Sequence, residues 1–109
     1  MTNVIFFKKG TLVRGFEMKG HAGAGDRGEY DMVCAAISGI AYTALGALDE
    51  MCGINTYHEK DGHLDMMLPA NLEQSVQEKA SIILEVMEIG LKQIATQYPR
   101  YIRTLCKEV

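Results

Sequence analysis

The chain has no CxxC pair, and its cysteines, Cys34, Cys52 and Cys106, are odd in number and widely spaced. A zinc ribbon or a disulfide framework is therefore not expected, and the thiols read as reduced. There is no excess of positive charge: 11 Lys and Arg stand against 14 Asp and Glu, a net charge of -3. A direct grip on nucleic acid built on counterion release needs the opposite balance. The basic residues near the start, Lys8, Lys9, Arg14 and Lys19, read as the solvated edge of a hairpin. No stretch reaches the roughly 20 strongly apolar residues that a membrane-spanning helix requires. The long uncharged run, Met32 to Leu48, is 17 residues rich in Ala, Gly, Ser and Thr, and it leads into Asp49 and Glu50. It reads as a buried helix. The apolar VIFF at residues 4–7 is too short for a secretory signal and meets Lys8 and Lys9. Residues 5–105 contain no linker or low-complexity stretch. The expectation is one cytoplasmic domain over residues 1–109, with no membrane partner.

What is present can build a core, since 48% of the 109 residues are hydrophobic. Residues 2–8 and 11–19 read as strands joined at Lys9-Gly10, a hairpin. In the second strand, alternation sets Leu12, Arg14, Phe16 and Met18 on one face and Val13, Gly15, Glu17 and Lys19 on the other. Residues 32–51 read as a helix ended by Gly53. Two short runs, 54–58 and 63–68, flank Lys60-Asp61-Gly62, a hairpin signal. Pro69 and Asn71 introduce a second helix, with Asn71 as N-cap and Gln74 completing a capping-box pattern. Its apolar stripe is Leu72, Val76, Ala80, Ile83, Met87, Leu91 and Ile94. Glu73, Gln77, Glu78, Glu85, Glu88 and Lys92 take the other face. Pro99 stops it, and 100–107 read as a last strand. The order ββαββαβ predicts a single-domain α+β sandwich, with a mostly antiparallel or mixed sheet and two main helices.

The segment that asks for a function is GHAGAGDRGEYDMVCAAISG, residues 20–39. Four glycines, Gly20, Gly23, Gly25 and Gly28, run directly into the apolar helix. Three chemistries compete for it. GAGDRG at 23–28 matches G-x-G-x-x-G between a strand and a helix, which would suit phosphate at a helix N-terminus. Yet the acid about 20 residues on, Asp49 or Glu50, lies inside the helix rather than after a parallel strand. A P-loop fails, because no Lys-Ser/Thr follows. A metal site from His21, Cys34, His58 and His63 lacks any close ligand spacing. Two surface histidines flanking a turn explain His58 and His63 more simply, so no metal is assigned.

The third chemistry is a cysteine nucleophile. If the helix begins at or just before Asp31, Cys34 lies in the first turn, where free N–H groups and the helix dipole favour a thiolate. The oxyanion donors would then be the N–H groups at that helix start. His21, thirteen positions earlier at a strand end, is the histidine able to take the thiol proton. Asp31 as N-cap would fix the turn that carries the thiol. Ser38, one turn beyond Cys34, shares its face. The plain alternative is that a cysteine on an apolar helix is a small buried hydrophobe, which suits Cys52 and Cys106. No cofactor is implied, since a thiolate and an imidazole suffice for peptide hydrolysis.

The string Gly20-His21-Ala22-Gly23, then Gly28, then Asp31-Met32-Val33-Cys34-Ala35-Ala36-Ile37-Ser38, resembles the ribosomal-processing cysteine protease family, Prp. The resemblance covers nearly the whole chain. It implies a bacterial endopeptidase that removes a short N-terminal extension from the large-subunit ribosomal protein numbered twenty-seven, after a hydrophobic, phenylalanine-containing motif. It implies Cys34 as nucleophile and His21 as base, with Asp31 and Ser38 in support. It also implies a homodimer, and a mobile loop over residues 22–30, for which the glycines would serve as a gate. The rival class is a ribosome-associated binding module without chemistry.

Overall fold

A computed structural model describes residues 1–20 and 27–109, with side chains placed at 1–20 and 32–109. The chain order is β1 (Thr2–Lys9), β2 (Leu12–Lys19), α1 (Arg27–Cys52), β3 (Tyr57–Lys60), β4 (His63–Met67), α2 (Gln74–Gln97) and β5 (Ile102–Glu108). The five strands form one sheet in the order β3-β4-β2-β1-β5. The two hairpins and the β2–β4 pair are antiparallel, and β5 runs parallel to β1. The sheet is thus mixed and the fold α+β, as the element order predicts. Helix α1 joins the two hairpins and α2 joins the second hairpin to β5, and the helices pack on one another over one face of the sheet.

That face is the core. Val4 and Phe6 of β1, Phe16 of β2 and Met66 of β4 are at most 1% exposed. They meet Val33, Ile37, Ala41, Ala44, Leu45 and Leu48 of α1, and Ala80, Leu84, Met87 and Leu91 of α2. Each large side chain fully buried there contributes about 1.5–3 kcal/mol. By length and composition Met32–Cys52 could cross a membrane. In this fold the three- and four-residue spacing of its buried positions gives it one core-facing stripe, and it packs chiefly on α2. It closes as the glycine at 53 predicts. Gly53 turns to φ +67, and its N–H reaches Asp49 O at 2.9 Å while Ile54 N–H reaches Leu48 O at 3.0 Å. This is an αL closure on Gly53, with Ile54 buried against the core.

Three expectations are corrected. Phe7 pairs with Gly15 and Lys8 with Val13, so Arg14 is an extra residue in β2. That bulge breaks the alternation, and Val13 and Phe16, three apart, are both 0% exposed. The carbonyls it frees are used: Ser81 Oγ donates to Val13 O at 3.1 Å, and Leu68 N–H to Arg14 O at 2.9 Å. Second, α2 begins at Gln74, and its N-cap is Glu73, without a side-chain capping bond. Asn71 lies in the preceding turn. Third, Glu88 is not on the solvated face but 3% exposed.

Candidate active site

Cys34 projects from α1, half-buried against the core cluster. Its helix starts earlier than the sequence suggests. With α1 opening at Arg27, Cys34 is the eighth helical residue, about two turns in. The N–H groups left free at a helix start belong to its first four residues. The expectation that they flank the sulfur and serve as oxyanion donors is therefore overturned. Asp31 is the fifth residue of α1 and not its N-cap, and Gly28 lies in the helix rather than in a loop. Helical spacing still gathers Asp31, Cys34 and Ser38 on one stripe, three and four residues apart. Tyr42 continues it by another turn, and Ser38 and Tyr42 are both exposed.

The stripe faces the free end of β2. Gly20 closes that strand at φ +88, and its N–H donates to Gly62 O at 2.8 Å. Gly62 belongs to the β3–β4 turn, so the two hairpins are tied together immediately before residue 21. His21, Gly23 and Gly25 lie outside the described residues, as does most of the expected gate. Its final part, residues 27–30, is helix.

Between α1 and the β3–β4 hairpin lies a cavity of about 190 Å³. Met18 and Leu64, directly paired across β2 and β4, lie along it, and Glu59 of β3 pairs with Leu64 to continue the row. Ser38, Ala41 and Tyr42 form the helix side, and Gly20 and Gly62 the end nearest residue 21. The Tyr42 hydroxyl donates to the Glu59 carboxylate. Sequence reasoning missed Tyr42 and Glu59, because an exposed pair 17 positions apart leaves no local pattern.

The remaining candidates are dispersed. His58 pairs with Asp65 rather than with His63. Register sets both histidines on the sheet face opposite Leu64 and Met66, and His63 also borders the cavity beside α1. On that sheet face Asp65 lies 3.3 Å from His58 Nδ1 and 3.3 Å from His63 Nε2, and Glu17 lies 3.5 Å from the latter. Among the described residues no three His, Cys, Asp or Glu side chains converge as a metal site. The three cysteines are free. Cys106 is not the buried hydrophobe expected: it is exposed, and its Sγ lies 3.2 Å from Glu88 Oε2.

The family model for cysteine protease Prp matches residues 1–103. The chain belongs to the cysteine protease Prp family. A curated relative, the ribosomal processing cysteine protease Prp of Bacillus subtilis (strain 168), is 30% identical over 91 residues, covering 81% of this chain and 80% of its own. The fold matches SMU.848 from Streptococcus mutans at a TM-score of 0.80 and 23% identity, over 100% of this chain and 96% of that one. It also matches the ribosomal processing protease Prp of S. aureus, solved with a substrate peptide, at a TM-score of 0.76 and 24% identity. That alignment covers 98% of this chain and 100% of the other. The resemblance read from residues 20–38 is thus shown at the level of the family. The protein is a cysteine protease.

Proposed function

We propose that this protease removes the N-terminal extension of the large-subunit ribosomal protein numbered twenty-seven, cutting after a hydrophobic motif. The observation that carries the reading is the half-buried Cys34 on the stripe Asp31, Cys34, Ser38, beside a cavity that ends at Gly20. The relative from Bacillus subtilis bears a ribosomal-processing name, and the S. aureus protein was solved with a substrate peptide.

In this mechanism His21 takes the Cys34 thiol proton, and the sulfur attacks the scissile carbonyl carbon. The tetrahedral adduct collapses as the His21 proton passes to the leaving amine, giving a thioester. Water, deprotonated by His21, then hydrolyses the thioester and regenerates the thiol. A rigid helix holds the sulfur in one place, which is what a positioned nucleophile needs. Asp31 and Ser38, one turn either side, support it. The chemistry requires a reduced thiol and so a reducing compartment such as the cytoplasm.

The test is intact-mass analysis of the extended ribosomal protein after incubation with the parent chain, Cys34→Ser and His21→Ala. Loss of the extension with the parent alone is expected. A clean complex with no cleavage by any of the three would replace this reading with the binding module.

The reading includes a homodimer. An outward apolar groove of about 660 Å³ between the helices supports it, lined by Gly39, Ile40, Thr43, Ile82, Val86 and Gly90 among others. Ile82 and Val86 are 59% and 62% exposed, the kind of patch that marks an interface. Sedimentation equilibrium should give twice the chain mass, and Ile82→Glu with Val86→Glu should give the monomer. A monomeric parent removes the proposal.

A further inference from the structure

We propose that the Tyr42–Glu59 hydrogen bond is a strut that sets the distance between the Cys34 nucleophile and the His21 base. Tyr42 and Glu59 are thereby positioning residues for the reaction. The inference rests on the protease reading of Cys34 and His21.

The two reacting groups belong to separate elements. Cys34 is on α1, and His21 directly follows Gly20 at the end of β2. Helix α1 packs chiefly on α2. Toward the β3–β4 hairpin its flank is hollow: the cavity of about 190 Å³ has Ser38, Ala41 and Tyr42 on one side and Glu59, Lys60 and His63 on the other. Interdigitated side chains fix the spacing of two elements where they fill the space between them. At this flank a polar bridge takes that part. The Tyr42 hydroxyl donates to the Glu59 carboxylate, and a hydrogen bond to an ionised acceptor is of the stronger kind. Among the described residues it is the one hydrogen bond from an α1 side chain to the sheet, because the Thr43 hydroxyl bonds back within the helix to Gly39 O. Ile37, Ala41 and Leu45 hold α1 over the sheet through the core. The strut fixes its approach to the hairpin.

The bridge closes a ring. From Glu59 the β3–β4 turn leads to Gly62, whose carbonyl accepts the Gly20 N–H at 2.8 Å. Gly20 leads directly into His21. On the other side, Tyr42 lies about 12 Å along α1 from Cys34, two turns of rigid helix. The path from nucleophile to base thus runs through two hydrogen bonds, joined by helix, strand and one tight turn. Its hairpin side needs an anchor, because β3 is an edge strand whose four residues are all exposed. Proton transfer from sulfur to imidazole requires hydrogen-bond reach. A misplacement of about 1 Å arising far from the chemistry lowers rates by on the order of 100-fold. Loss of the strut, with the core still holding α1, should lower them by about tenfold.

The test is a double-mutant cycle read by cleavage of the N-terminally extended ribosomal protein. Tyr42→Phe removes the hydroxyl and keeps the ring, and Glu59→Ala removes the acceptor. Each should lower kcat about tenfold and leave KM within about twofold. The double variant should be no slower than either single one. Glu59→Gln keeps an oxygen acceptor and should recover most of kcat. Iodoacetamide alkylation of Cys34, read by mass on its own peptide, gives a signal that a merely structural loss would not move. A thiolate paired with an imidazolium reacts at neutral pH, so both single variants should need a higher pH than the parent for the same rate. If the parent cleaves and Tyr42→Phe keeps full kcat, the strut is wrong and the protease reading stands. If the double variant shows the product of the two single losses, the residues act separately and the strut is again wrong. If the parent does not cleave, the protease reading falls and takes the strut with it.

Discussion

Gly20 donates its N–H to the Gly62 carbonyl at 2.8 Å, joining the end of β2 to the tip of the other hairpin. The same residue holds φ +88, and a Cβ built on it would lie 2.6 Å from Met1 O. Two separate constraints thus demand glycine directly ahead of the proposed catalytic base. Gly20→Ala should cost about 1–3 kcal/mol from the backbone conformation alone, read as a lower urea midpoint. Gly20→Asn tolerates positive φ better but carries the same Cβ. Near-parent stability for the asparagine variant would show that the contact with Met1 is relieved by a small shift, leaving the dihedral as the sole constraint.

Gly15 is constrained differently. Its φ is not positive, but an added Cβ would collide with the Met66 carbonyl of the neighbouring strand. A backbone atom within a paired sheet cannot swing aside as a side-chain end can. Gly15→Ala should therefore destabilise by about 1–3 kcal/mol, the usual cost of overpacking. Gly10→Ala is the natural comparison, because Gly10 has φ +63 with nothing within 4 Å of the added carbon. Denaturant melts of the two separate a packing cost from a dihedral cost. Equal stability of Gly15→Ala and the parent would mean that β4 slides to make room.

Much of this fold is legible because its elements carry local signals. Asp61-Gly62 marks one hairpin, Lys9-Gly10 the other, and Gly53 the end of α1. The failures share a different cause. Arg27-Gly28-Glu29-Tyr30 joins α1 although Gly20, Gly23 and Gly25 stand before it and Gly28 within it, since a helix already nucleated over Asp31–Cys52 extends cheaply. That extension moves Cys34 from the first turn to the third, so the pairing of motif blocks led to the family while the argument from the helix dipole failed. The bulge at Arg14 has no signature in alternation, because Val13 and Phe16 are both apolar and either could face the core. Tyr42–Glu59 and the surroundings of Glu88 depend on the crossing of helix and sheet, which local periodicity does not encode.

Glu88 shows this best, and it links the stability of the fold to pH. Its Oε2 lies 2.9 Å from Lys8 Nζ, 2.7 Å from Lys92 Nζ and 3.2 Å from Cys106 Sγ. Burial pushes the carboxyl up, but the hydrogen bonds from Lys92, Lys8 and Cys106 outweigh it and hold Glu88 below its ordinary value of 4.5. A carboxyl depressed in the folded state stabilises the fold above the unfolded value, and that contribution fades as pH falls through the folded one. Lys8 moves the other way: its hydrogen bond to Glu88 raises it above 10.5, so its share persists until pH exceeds that value. Glu88→Gln should therefore cost about 1–3 kcal/mol at pH 7. The gap to the parent should narrow below pH 4.5 and close once Glu88 is protonated in both states. Urea melts of the two chains from pH 3 to 8 measure it. A gap that stays constant across that range would mean that Glu88 acts by its shape and hydrogen bonds, not by its charge.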